Sequence, residues 1–168
     1  MTITTTINGN RKSLDILPGD MLVDALRSAG YSEVKKGCDT GTCGVCTVLL
    51  DGTPVLSCSF LAARADGHEI TTIQGVQEEA AEFAAFLVAE GADQCGFCAP
   101  GFALSVLAMR KELKHPSEDD IKHYLAGNLC RCSGYEGQLR AIKKYLEAVH
   151  AEDIQRGQEK HPEERRHG

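Results

Sequence analysis

The chain has 168 residues, 42% hydrophobic and 25% charged, with a formal net charge of −6. That mild acidity excludes a nucleic-acid binder, which needs a basic face for phosphates, and no stretch approaches the ~20 apolar residues of a membrane span. The length suits one domain or two small ones. Without tryptophan, the core must be Leu, Val, Ile and Ala, and a half-chain core of that kind is marginal enough that bound metal is a common remedy.

The start, Met1 to Ile7, has neither a basic region nor an apolar run and does not read as a signal peptide. A cytoplasmic protein with reduced thiols is expected, although a partner bearing an export signal could carry it elsewhere. Thr2 to Ile7 alternate as a strand, Asn8-Gly9-Asn10 is a hairpin turn, and Ser13 to Leu17 is the expected return strand. Asp20 is placed to cap a helix carrying Leu22, Val23 and Leu26, which Gly30 ends. Residues 37–46 form a loop rich in Gly and Cys. Thr47 to Leu50, a turn at Asp51-Gly52, and Val55-Leu56 make a second hairpin, and Ile70 to Ile73 closes the sheet.

After Gly75 the apolar period becomes helical. Val76, Ala80, Phe83 and Leu87 share one face of a helix stopped by Gly91. Pro100 to Leu113 is apolar almost all round, as in the central helix of a bundle. Ser117 with Asp120 forms a capping box for a short helix bearing Ile121, Tyr124 and Leu125, and Ser133 with Glu136 forms another for a helix bearing Leu139, Ile142, Leu146 and Val149. From about Ala151 the chain is charged and aperiodic, as in a disordered tail or an arm lying on a partner, and its two late histidines read as solvated. The fold class is α+β: residues 1–75 β-rich, 76–150 helical, 151–168 a charged tail.

Eight cysteines fall into two quartets with none left over. Cys38-x4-Cys43-x2-Cys46, closed by Cys58, has the spacing of a plant-type [2Fe-2S] site, and the glycines of its loop let the backbone wrap closely around a compact anion. Zinc spacings put two close pairs at a distance and fit this quartet less well. Cys95-x2-Cys98 with Cys130-x-Cys132 is less diagnostic, and zinc stays open there on spacing alone. Pro100 follows Cys98 where a helix begins, and Ser133-Gly134 opens another after Cys132, so two helix N-termini would face one tetrathiolate anion.

Three segments, Gly37 to Val48, Gln94 to Phe102 and Gly127 to Tyr135, together resemble the iron–sulfur subunit of molybdenum hydroxylases: xanthine dehydrogenase, aldehyde oxidoreductase, carbon monoxide dehydrogenase and the bacterial N-heterocycle dehydrogenases. The resemblance runs from about residue 2 to 150. It implies a β-grasp ferredoxin-like domain followed by a four-helix bundle, and a [2Fe-2S] cluster at the second quartet too. It also implies a large molybdopterin subunit and a medium FAD subunit, in a dimer of heterotrimers. The helical-domain cluster would lie beside the pterin, with Gln94 matching the glutamine that hydrogen-bonds the pterin and Cys132 matching the nearest cluster ligand. The family's chemistry implies a relay of single electrons during oxidation of an N-heteroaromatic compound, an aldehyde or CO, with no catalytic residue in this chain. Four positions depart from the family pattern: Ala99, Phe102, Ser133, and Gln138 where an apolar residue is usual. The competing readings are a free-standing two-cluster ferredoxin and a zinc-bearing interaction module. For Gln94 the plain alternative is a capping side chain. Arg131 reads as a surface charge, and His68, His115 and His123 need no functional role.

Overall fold

The computed structural model describes the backbone of residues 1–159 and side chains through residue 151. Strand β1 (Thr2–Ile7) and strand β2 (Asn10–Asp15) pair antiparallel. Asn8 and Gly9, at φ 51° and 77°, make the two-residue turn that matches strand twist. The return strand thus starts three residues earlier than its hydrophobicity suggested. It is an edge strand whose only buried residue is Leu14, so Arg11 and Lys12 sit in solvent and carry no alternation. Helix α1 (Leu22–Ser28) follows. Its N-cap is Met21 rather than Asp20, whose carboxylate accepts the Leu17 amide at 2.8 Å and closes the preceding turn.

Strands β3 (Thr47–Leu50) and β4 (Thr53–Leu56) form the second hairpin, and β5 (Glu69–Thr71) completes a five-stranded sheet of order β2-β1-β5-β3-β4. Pro54 is tolerated because β4 is an edge. The β1–β5 pair is parallel and the other pairs antiparallel. Leu22, Val23 and Leu26 of α1 pack with Ile3, Ile7, Val48 and Ile70 of the sheet in one core, the grasp of a sheet around a helix. Strand β5 ends at Thr71 because Ile73–Val76 turns into a 3-10 segment, capped by the Thr72 hydroxyl.

The second body is helical: α2 (Gln77–Ala89), α3 (Ala99–Glu112), α4 (Glu118–Tyr124) and α5 (Glu136–Glu159). Every residue of α3 from Gly101 to Met109 is buried, as a central helix requires. Phe83 of α2 meets Tyr145 of α5 with ring centroids 5.2 Å apart and Phe102 of α3 at 6.1 Å; burying a side chain of this size is worth about 1.5–3 kcal/mol. Glu90 at the end of α2 pairs with Arg140 at 2.8 Å and with Lys144, latching α2 to α5. Ser117 and Asp120 form the expected capping box. Helix α5 runs past Ala151 to Glu159, where a disordered tail or arm was expected. The late histidines and the rest of that tail lie outside the described residues.

The two bodies meet over a small apolar cluster, Leu49 of β3 against Leu104 and Ala108 of α3, with Ile73 and Val76 alongside. No described helix is long and apolar enough to cross a membrane.

Candidate metal centres

The loop between α1 and β3 brings Cys38, Cys43 and Cys46 together, and Cys58 arrives from the 3-10 turn Ser57–Ser59 that follows β4. The buried Ser57 hydroxyl donates to the Cys46 carbonyl at 2.6 Å and fixes that turn against the loop. Nothing in the residue pattern signals this contact, since a lone serine between strand and cysteine carries no period or motif. All eight cysteines are free thiols. In the first site Cys38 lies beside Cys43, and Cys46 beside Cys58. Amides of Thr40, Thr42 and Cys43 point at Cys38 and bring its thiol down to about 5. Burial pushes Cys58 up to about 11 and raises Cys43, whose shift the Val45 amide opposes.

In the second site Cys95 and Cys98 sit in the turn that opens α3, with Cys98 its N-cap and Pro100 in its first turn. Cys130 and Cys132 lie in the loop before α5. Cys132 and Cys95 have sulfurs 3.6 Å apart, too far for a disulfide, and Cys98 lies beside Cys130. Cys95 and Cys132 are exposed, whereas Cys98 and Cys130 are half-buried, so the quartet has an outer pair and an inner pair. Burial lifts Cys98 to about 12. Burial alone would raise Cys130 as well, but the Ser133 hydroxyl with the Ser133 and Cys132 amides brings it below its ordinary value. The Ser133 amide donates to the Cys130 sulfur at 3.4 Å, and the Ser133 hydroxyl accepts the Tyr135 amide at 3.2 Å. Ser133 therefore shapes the cysteine turn, and the capping box expected with Glu136 gives way to that use.

Both quartets share a two-plus-two arrangement with backbone amides aimed at sulfur. That donor set would suit a [2Fe-2S] cluster, with Cys38, Cys43, Cys46 and Cys58 holding one and Cys95, Cys98, Cys130 and Cys132 the other, and the amides would offset its net negative charge. The two sites are also in direct contact. The Leu129 amide, one residue before Cys130, donates to the Cys43 carbonyl at 2.9 Å. The Tyr135 hydroxyl accepts the Cys130 amide at 3.0 Å from the other side. A Cβ on Gly44 would lie 2.7 Å from Asn128 Nδ2 and would also run into the Gly127 carbonyl, and one on Gly101 would lie 2.8 Å from the Val45 carbonyl oxygen. These two glycines permit the close approach of the cysteine loops.

Gln94 is exposed, lines the cavity of the second quartet, and donates from Nε2 to the Gly91 carbonyl at 3.2 Å. Gln138 is 4% exposed and lines the same cavity. Arg131 is exposed. His68 pairs with Asp51 at 2.6 Å, His115 meets His150 with ring centroids 4.5 Å apart, and His123 is exposed on α4.

Residues 5–71 match the 2Fe-2S iron-sulfur cluster binding domain family, and residues 72–143 match the [2Fe-2S] binding domain family. The chain is 44% identical over 143 residues to the xanthine dehydrogenase iron-sulfur-binding subunit of Escherichia coli O157:H7, covering 81% of this chain and 88% of that one. It is 41% identical over 151 residues to the nicotinate dehydrogenase small FeS subunit of Eubacterium barkeri, covering 88% and 96%. Its fold matches a chain of the crystal structure of quinoline 2-oxidoreductase from Pseudomonas putida 86 with a TM-score of 0.82 at 37% identity, over 90% of this chain and 96% of that one. The chain belongs to the iron–sulfur subunit family of the molybdenum hydroxylases, with two [2Fe-2S]-binding domains in series.

Proposed function

We propose that this chain relays electrons singly from a molybdenum–pterin site in a large partner subunit to FAD in a medium partner subunit, within a cytoplasmic dimer of heterotrimers. Cys95, Cys98, Cys130 and Cys132 hold one [2Fe-2S] cluster, and Cys38, Cys43, Cys46 and Cys58 hold the other. Residues 1–75 and 76–150 are the corresponding domains, and 151–168 the charged C-terminal tail, into which α5 continues as far as Glu159. The observation that carries this is the hydrogen bond from the Leu129 amide to the Cys43 carbonyl, 2.9 Å long, which joins the two quartets through backbone. When bound, each cluster accepts one electron and gives it up again, matching a two-electron oxidation to a flavin that takes one or two.

The chain's own residues give that relay a direction. The exposed Cys95 and Cys132 thiols suit docking against the large partner, and Gln94 beside them, whose Nε2 also donates to the Gly91 carbonyl, has its second amide hydrogen and its Oε1 to offer the pterin. The half-buried Cys98 and Cys130 lie on the inner side, and Leu129 leads from Cys130 to the first quartet. Amides directed at Cys38 and Cys130 lower the cost of holding negative charge there. Relatives are named for xanthine, nicotinate and quinoline and also as aldehyde oxidoreductases, which makes the substrate of the assembly an N-heteroaromatic compound or an aldehyde, chosen by the large partner.

Iron and sulfide analysis of the native protein, together with gel filtration, tests this reading. Four irons and four sulfides per chain, eluting with molybdenum and FAD, is the expected result. A colourless zinc protein, or an iron–sulfur protein that elutes as a free monomer, overturns it.

A further inference from the structure

Gln138 stands in the first turn of α5, almost fully buried, and its Oε1 has no hydrogen-bond partner. Leaving a buried amide oxygen unpaired is costly, and the position is one where the family usually carries an apolar residue. The side chain borders two spaces at once. One is the cavity lined by the four thiols Cys95, Cys98, Cys130 and Cys132. The other is a cavity of about 260 Å³, lined chiefly by apolar side chains such as Phe102, Leu125 and Leu139. An apolar wall gives the amide nothing to bind. The thiol cavity does, because thiolate and sulfide are acceptors and their cluster is an anion.

We propose that Gln138 sets the reduction potential of the helical-domain cluster by donating an amide N–H toward its sulfurs. This rests on the cluster proposed at Cys95, Cys98, Cys130 and Cys132. Rotation of the terminal amide exchanges Nε2 and Oε1 without moving a carbon, and an anion in the thiol cavity selects the orientation that turns Nε2 to it. Two ferric irons, two sulfides and four thiolates carry a net charge of minus two, and one added electron makes it minus three. An N–H donor stabilises the more negative state more strongly, so it raises the potential. An apolar side chain of similar volume removes the donor and lowers it.

The experiment is an EPR-monitored potentiometric titration of the intact complex, with dithionite supplying the electron, for wild type, Gln138→Leu and Gln138→Met. The expected result is a helical cluster whose reduced-to-oxidised ratio at a fixed potential falls at least threefold in both variants. That is about 28 mV, at 59 mV per tenfold for a one-electron couple. The cluster of the ferredoxin-like domain serves as the internal reference and should not move. Unchanged potentials in both variants overturn the inference, even if their melting temperatures change, because packing alone then explains Gln138. Loss of the helical cluster from both variants overturns it too, since the amide is then structural. A wild-type protein without iron sinks the underlying reading, and this one with it.

Discussion

Gly44 is held to glycine by two demands at once. Its φ of 70° lies in the left-handed region, and a Cβ there would press on the Gly127 carbonyl and on Asn128. The loop composition of residues 37–46 shows the first demand in the sequence. The second is invisible there, because it comes from a segment more than eighty positions away. Gly44→Ala should therefore lose about 2–4 kcal/mol, strain and overpacking together. Gly52→Ala, at φ 84° but facing open space, should lose only the backbone part, about 1–2 kcal/mol. Thermal unfolding of the two variants side by side checks this, and equal losses would mean that the loop contact is not tight. Ser57→Ala poses a related question. It leaves the Cys46 carbonyl without the hydroxyl that reaches it at 2.6 Å in a buried setting, and about 1–3 kcal/mol should go with it. A melting temperature unchanged from wild type would assign that carbonyl another partner.

Among the elements, α4 is a seven-residue helix too short to persist on propensity alone, so its cap matters. Ser117 accepts the Asp120 amide at 3.2 Å, while the Asp120 carboxylate accepts the Ser117 amide at 2.9 Å. Ser117→Ala should cost about 1 kcal/mol, read as a lower melting temperature. The latch between α2 and α5 gives a pH-dependent test. Lys144 first, then Arg140, holds the Glu90 carboxyl below its ordinary value. The group binds a proton less readily folded than unfolded, so its stabilisation is present above the unfolded carboxylate pKa and is lost as pH falls through the lowered folded value. The melting-temperature gap between wild type and Glu90→Gln should be open at pH 7 and closed in acid below that value; a gap that stays constant with pH argues against the latch. The elements that were legible in the sequence are those with strong local chemistry: the Asn8-Gly9 turn, the Ser117 box, the all-apolar α3. Those misjudged had tertiary causes. Strand β2 hides behind polar edge residues, and Asp20 serves a turn rather than a helix. Helix α5 extends beyond Val149, the last buried residue among its described side chains, through a stretch carrying Ala151, Glu152, Gln155 and Arg156, helix formers that need no packed face.

For the whole molecule, both thiol quartets were readable as sets because cysteine spacing survives any fold, but their contact was not, because it runs through backbone groups that carry no residue signature. The Leu129 amide and the Cys43 carbonyl would do the same for any side chain. In the proposed relay that contact puts the two sites in series rather than leaving them as two independent carriers, and Cys43→Ala separates these alternatives. Loss of one thiolate breaks the first quartet, while the second keeps all four of its own. Iron should fall from about four to about two per chain, with one EPR signal lost and the other retained. The variant keeps the Cys43 carbonyl, so the backbone link and the docking of the two bodies should survive and the assembly should remain intact. Substrate added to that assembly should then reduce the surviving cluster but leave FAD oxidised, because the step beyond the helical domain has no acceptor within reach. Flavin reduction at the wild-type rate would show that electrons reach FAD without passing the first quartet, and the series order would fail.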